Sequence, residues 1–187
     1  GFLLKNGTID FLGNIPDTLN HYLNDNEEKQ DNLIINNIKL KKSTIHINNI
    51  EINNSKESYS LIKNGQKYLD VLIEGESEED MVFDIMLVLK SKEGIPFATY
   101  AKGHYMGDIQ HTPKGRFSIH RQIELPKILT KGILNVDLAI HHPMVEFYFS
   151  APGCCILESE GFQEGYGRTM NQDSCGFIGL DDNNNLK

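Results

Sequence analysis

The stretch Arg116–Ile140, RFSIHRQIELPKILTKGILNVDLAI, decides how this chain folds. Phe117, Ile119, Ile123 and Leu125 share one phase of a period-two pattern in its first half. Leu134, Val136, Leu138 and Ile140 repeat that period in its second half, after the turn signal Lys131-Gly132. Such alternation places apolar side chains on one face of an extended strand.

The same rule extends upstream. Leu69, Val71 and Ile73 share a face, as do Phe83, Ile85, Leu87 and Leu89. Ile45, Ile47, Ile50 and Ile52 also alternate, with Asn48-Asn49 interrupting the phase. Asn64-Gly65 and Glu93-Gly94 punctuate the runs as turns. Met81–Leu89 also carries Val82, Met86 and Val88 on its other face, which predicts a central and largely covered strand. Repeated strands without helical periodicity predict an all-β fold: an antiparallel immunoglobulin-like or jelly-roll-like β-sandwich.

The chain opens differently, on GFLLKNGTIDFLGNIPDTLNHYL. Asn6-Gly7 reads as a turn, Thr8–Leu12 as a short strand, and Gly13 as its end. Asn14 is placed to cap a short helix with Pro16 in its first turn, and Leu19, Tyr22 and Leu23 form one apolar edge. A helix of about two to three turns is marginal without a surface to pack on. Residues 25–32 are polar and charged, as a linker would be. The organisation expected is therefore residues 1–24 as a strand-plus-helix fragment, 25–32 as a linker and 33–187 as the sandwich. The tail from Gly161 is rich in Gly and polar residues. It is expected to be loose or to pair with something outside its own sandwich.

A net charge of −8 over 187 residues argues against nucleic acid, which needs clustered cations. Lys39, Lys41 and Lys42 are too few for a basic stripe. Three cysteines, Cys154, Cys155 and Cys175, fit neither a disulfide framework nor a zinc spacing and predict a reducing, cytosolic setting. The sequence holds no apolar run of membrane-spanning length and no signal peptide, which predicts a soluble protein or part of one.

KNGTIDFLGNIPDTLNHYL resembles the very end of an ABC-transporter ATPase domain, through Leu4, Gly7, Ile9, Gly13, Leu19 and Tyr22. Arg116–Ile140 resembles a recurring segment of the C-terminal domain of Wzt-type ATPase subunits, which export O-antigen polysaccharide. Ile123, Leu125, Pro126, Leu129, Gly132, Val136, Leu138, Ala139 and Ile140 carry that likeness. Leu134 stands where that family usually has Tyr. The tail GFQEGYGRTMNQDSCGFIGL is similar to the family's ending but lacks its terminal Trp. The resemblance implies that the opening fragment is the edge of a larger ATPase whose phosphate-binding loop and ABC signature are not in this sequence. No G-x-x-x-x-G-K-[ST] occurs in it, so this piece is expected not to be an enzyme. It further implies an inner-membrane-associated cytoplasmic protein that recognises the exported glycan, typically at a modified non-reducing end. The implied partners are a membrane-spanning transporter subunit and a second copy of the chain, with the C-terminal strand a candidate for exchange.

Sugar binding requires an aromatic face for the apolar C–H surface and planar polar groups for the hydroxyls. The richest cluster is FATYAKGHYMGDIQH, with Tyr100, His104, Tyr105, Asp108, Gln110 and His111. Its bland reading is a strand end and a solvated loop. His141-His142-Pro143 with Glu146–Phe149 comes second. Adjacent strand histidines face opposite ways and cannot chelate together, so strand-end packing is favoured there, with Phe147 and Phe149 inward and Tyr148 as a sugar platform. Tyr166 and Arg168 come third, against the alternative of a terminal strand that pairs with a partner. Cys154 and Cys155 read as small core hydrophobes. Neither a catalytic constellation nor a metal or other cofactor site emerges. The function expected is non-catalytic glycan binding, with a neutral glycan favoured by the acidic charge. The alternatives are a module that only dimerises or regulates the ATPase, and a metal-dependent glycan hydrolase.

Overall fold

The structure is a computed structural model that describes residues 1–5, 8–14, 18 and 32–180. It divides into two units, Gly1–Asp31 and Asn32–Lys187. In the first unit, β1 (Phe2–Lys5) and β2 (Thr8–Leu12) form an antiparallel hairpin, with a register shift between Leu3 and Leu4. Thr18 N–H donates to Asn14 C=O at 3.0 Å. The rest of the expected helix and linker lies outside the described residues.

The second unit is a β-sandwich. Its smaller sheet has the order β10 (Gly115–Glu124), β6 (Tyr68–Ser77), β4 (Ile45–Ile52), all antiparallel. Its larger sheet runs β3 (Leu40–Lys41), β12 (Glu146–Ser159), β11 (Gly132–His142), β7 (Met81–Lys90), β8 (Pro96–Tyr100). β5 (Tyr59–Ile62) adds to β12 in parallel, and β9 (Gln110–Thr112) adds antiparallel to β7.

The period-two faces meet in the middle. Leu69, Val71 and Ile73 of β6, Ile85 and Leu87 of β7, Leu134, Val136, Leu138 and Ile140 of β11, and Phe117, Ile119 and Ile123 of β10 are all buried in one core. Removing that apolar area from water is the main stabilising term. In β4, Ile47 pairs with Gly75 and Asn49 with Glu74, so Asn48 is the extra residue that breaks the phase. Gly75 is required there, because a Cβ would lie 2.3 Å from the His46 carbonyl oxygen. β7 lies between β11 and β8, and Val82, Met86 and Val88 on its outer face are half-buried.

Two irregularities in β12 also depart from simple alternation. Ile140 pairs with Phe149 but His141 with Phe147, so Tyr148 is a bulge residue. Consequently Tyr148 and Phe149 both point inward and Phe147 is exposed, reversing the expectation for Phe147 and Tyr148. Further on, Val136 pairs with Cys155 and Leu138 with Ala151, leaving three residues opposite Asp137. The Asp137 carboxylate accepts from Gly153 N–H at 2.8 Å, and both vicinal cysteines are buried.

Over its described length the tail is held by hydrogen bonds to its own chain rather than loose. Phe162 N–H donates to Leu129 C=O, Lys131 N–H to Met170 C=O, and Gly179 N–H to Ile128 C=O. The Thr130 hydroxyl donates to Gly176 C=O at 2.7 Å. Phe177 stacks on Phe97 with centroids 4.4 Å apart. The segment thus folds back onto the Ile128–Lys131 loop of its own chain.

Candidate functional site

The edge of the larger sheet beyond β7 is not one strand. β8 pairs with Leu87–Lys90, β9 pairs with Met81–Phe83, and between them the chain makes the short helix α1 (Lys102–Met106). Asp84 organises this detour. Its buried carboxylate accepts the His104 backbone N–H at 3.2 Å, and Gly103 packs directly on its side chain. A Cβ at Gly103 would come within 2.7 Å of the Asp84 Cβ, so only glycine permits this approach. Gly107 ends the helix in the left-handed conformation, and its N–H donates to Gly103 C=O.

This detour and the exposed edge strand of the smaller sheet, β10, border a cleft of about 780 Å³. Its floor is apolar, from Leu69, Leu87, Leu89 and Ile123. Its walls are polar and aromatic, with Tyr68, Tyr100, Lys102, Asp108, Gln110 and Arg121 among them. An apolar base with a few convergent polar groups is the usual composition of a ligand site.

Tyr100 is half-buried in the wall. Burial raises its hydroxyl above the ordinary phenol range, and the neighbouring Arg121 guanidinium opposes that rise. The phenol therefore stays a hydrogen-bond donor at neutral pH. Gln110 Nε2 donates to Asp108 Oδ1 at 3.4 Å along the same wall.

The structure brings together Tyr100, Asp108 and Gln110 from the first sequence cluster. His104 and Tyr105 sit exposed on α1, with their rings edge to face at 5.8 Å, and His111 is exposed on β9; none of the three lines the cleft. Tyr148 is not a platform. Only 3% of it is accessible, its hydroxyl lies 3.4 Å from both the N–H and C=O of Val82, and Lys42 Nζ is 5.4 Å from the ring centroid. Tyr166 and Arg168 are exposed on the tail, outside the cleft.

Arg121 and Tyr68 are among the cleft residues that the sequence pattern did not single out. Arg121 carries a readable signal. It stands in the phase of Phe117, Ile119 and Ile123, and it pairs across the sheet with core residue Val71. A charge in an apolar phase marks a point where the core face opens to solvent or to a ligand.

The second sequence cluster holds a buried pair instead of a binding surface. His141 stacks on Phe147, and its Nε2 is buried without a hydrogen-bond partner, 3.9 Å from Asp84 Oδ2. Burial lowers its pKa, against the opposing pull of Asp84. Among the described residues no three His, Cys, Asp or Glu side chains gather as a metal site would need. No described helix is long and apolar enough to cross a membrane.

No protein-family model matches the chain, and no curated protein matches it. Among solved structures, the fold is similar to that in the crystal structure of the C-terminal domain of wzt. The TM-score is 0.53 at 12% identity, over 70% of this chain and 82% of that one. It is the domain that the residues from Ile123 to Ile140 resemble.

Proposed function

We propose that the sandwich binds O-antigen polysaccharide without acting on it, as the glycan-recognition part of an ABC exporter's ATPase subunit. The observation that carries the reading is the cleft beside Tyr100. It offers an apolar floor for sugar C–H faces, two tyrosines at its walls, and amide, carboxylate and guanidinium groups for hydroxyls. The fold likeness and the sequence resemblance support the same assignment. A binding role also fits the thiols. Burial pushes Cys155 up to about 12 and Cys154 higher still, so neither is a nucleophile at neutral pH.

The binding it proposes is weak per site. A dissociation constant near 1 mM corresponds to about −4 kcal/mol, and pairing of two copies at a transporter raises the effective concentration. The test is a calorimetric and NMR titration with the O-polysaccharide of the producing organism and with an unrelated one. Saturable binding of the cognate chain, with shifts around Tyr100, Asp108 and Arg121, supports the reading. A folded protein that binds neither supports a module for dimerisation or regulation instead.

A further inference from the structure

We propose that the cleft selects an acidic glycan, with Arg121 receiving the carboxylate of a uronic acid or another carboxylated sugar. This rests on the reading of the cleft as a glycan site and names the class of sugar.

The first ground is position. Residues opposed in a sheet ladder lie on the same face, and Arg121 is opposed to Val71, a fully buried core residue. The arginine is half-buried at the cleft wall, above Ile123 and the leucines of the floor. The second ground is the lack of a counter-charge. Arg121 Nη1 donates to the His120 C=O at 2.8 Å on the exposed side, its guanidinium also hydrogen-bonds the Tyr100 hydroxyl, and among the described residues no carboxylate forms an ion pair with it. The nearby Asp70 is engaged by His120 and Gln122. The remaining N–H donors of its fork face no protein carboxylate, and a ligand anion would take them up.

The chemistry of the walls favours a carboxylate over a phosphate. Asp108 and Glu124 also line the cleft, though neither forms an ion pair with Arg121, so a dianion would meet two like charges. A planar monoanion fits the guanidinium fork in a two-point contact, with the Tyr100 hydroxyl as an adjacent donor. The overall charge of −8 does not oppose this. Exposed charges are screened beyond about 8 Å at physiological salt, so the local guanidinium governs the cleft. The preference for a neutral glycan drawn from total charge is replaced accordingly.

The experiment uses the full chain and oligosaccharides of glucuronic and galacturonic acid, their carboxyl-reduced counterparts, and mannose 6-phosphate. Binding is followed by calorimetry and amide NMR shifts, for the wild type, Arg121→Gln and Arg121→Lys. The expected result is that an acidic oligosaccharide binds about tenfold more tightly than its reduced form. That advantage disappears in Arg121→Gln and partly persists in Arg121→Lys. Should the glutamine variant not fold, the lysine variant and the wild-type salt dependence carry the test, since the acid advantage should shrink as salt rises. Equal binding of acidic and reduced forms overturns the proposal while leaving the cleft as a glycan site. A preference for mannose 6-phosphate, or an acid advantage untouched by Arg121→Gln, also overturns it. Absence of cleft shifts with every probe overturns it too, and titration with the cognate polysaccharide then decides the broader reading separately.

Discussion

Asp84 on β7 and His141 on β11 are register partners, both almost fully buried, with Oδ2 and Nε2 3.9 Å apart. That separation is too long for a hydrogen bond, and it leaves the imidazole nitrogen unpartnered. His104 and His142 add repulsion that favours the neutral ring, while Asp84 alone favours the charged one.

Because folding lowers the His141 pKa, the unfolded chain binds the extra proton first. Stability contributed by this residue is present above the unfolded value near 6.5 and is lost as the pH falls below it. Urea unfolding between pH 7.5 and 5 should show falling stability on the acid side, and His141→Gln should flatten that slope. An unchanged slope in the variant would assign the acid sensitivity to other groups.

Asp84→Ala removes the acceptor that holds α1 at His104 N–H, and Gly103→Ala pushes a methyl group into the Asp84 side chain. Each should cost about 1–3 kcal/mol of stability. Hydrogen exchange should show the amides of Lys102–Gly107 opening before the core strands. Polysaccharide binding should weaken with them, since Lys102 at the start of that helix and Asp108 just after it line the cleft.

The tyrosines should separate by role. Tyr100→Ala should weaken polysaccharide binding about tenfold with little loss of stability. Tyr148→Ala should lower stability by about 3–5 kcal/mol, because a buried ring leaves a cavity. Tyr166→Ala should change neither. Denaturant curves and titrations on the three variants check this, and a binding loss confined to Tyr166→Ala would move the site to the tail.

Thiol reactivity gives an independent check on β12. With Cys154 and Cys155 buried and Cys175 exposed, a thiol reagent should label one cysteine rapidly in the folded protein and all three in denaturant. Rapid native labelling of two or three would mean that the double inward turn at Cys154-Cys155 is wrong.

Most of the sandwich was legible because a half-buried strand writes its orientation as alternation. Leu69, Val71, Ile73 and the β11 series Leu134–Ile140 lie where the period places them. Bulges erase that signal, since each adds a residue without changing composition. Tyr148 therefore read as outward and Phe147 as inward, and only the ladder partners reveal the shift. The cleft was half legible. The cluster of aromatic and polar residues around Tyr100 marked one wall. The opposite wall comes from β10, and its closeness to β8 is a property of how two sheets stack rather than of any local spacing. The helix at Lys102–Met106 also escaped notice, because it is held by a contact with Asp84 about twenty positions earlier and not by helical propensity.

The interrupted border of the larger sheet has a consequence for solubility. An unbroken, flat outermost strand invites another chain to continue its hydrogen-bond ladder. Here the border consists of two short pieces, of five and three residues, with a helical turn between them and Pro96 opening the first. No incoming strand can follow it in register for long. The detour that shapes the cleft thus also guards this edge of the larger sheet against being extended by another chain's backbone.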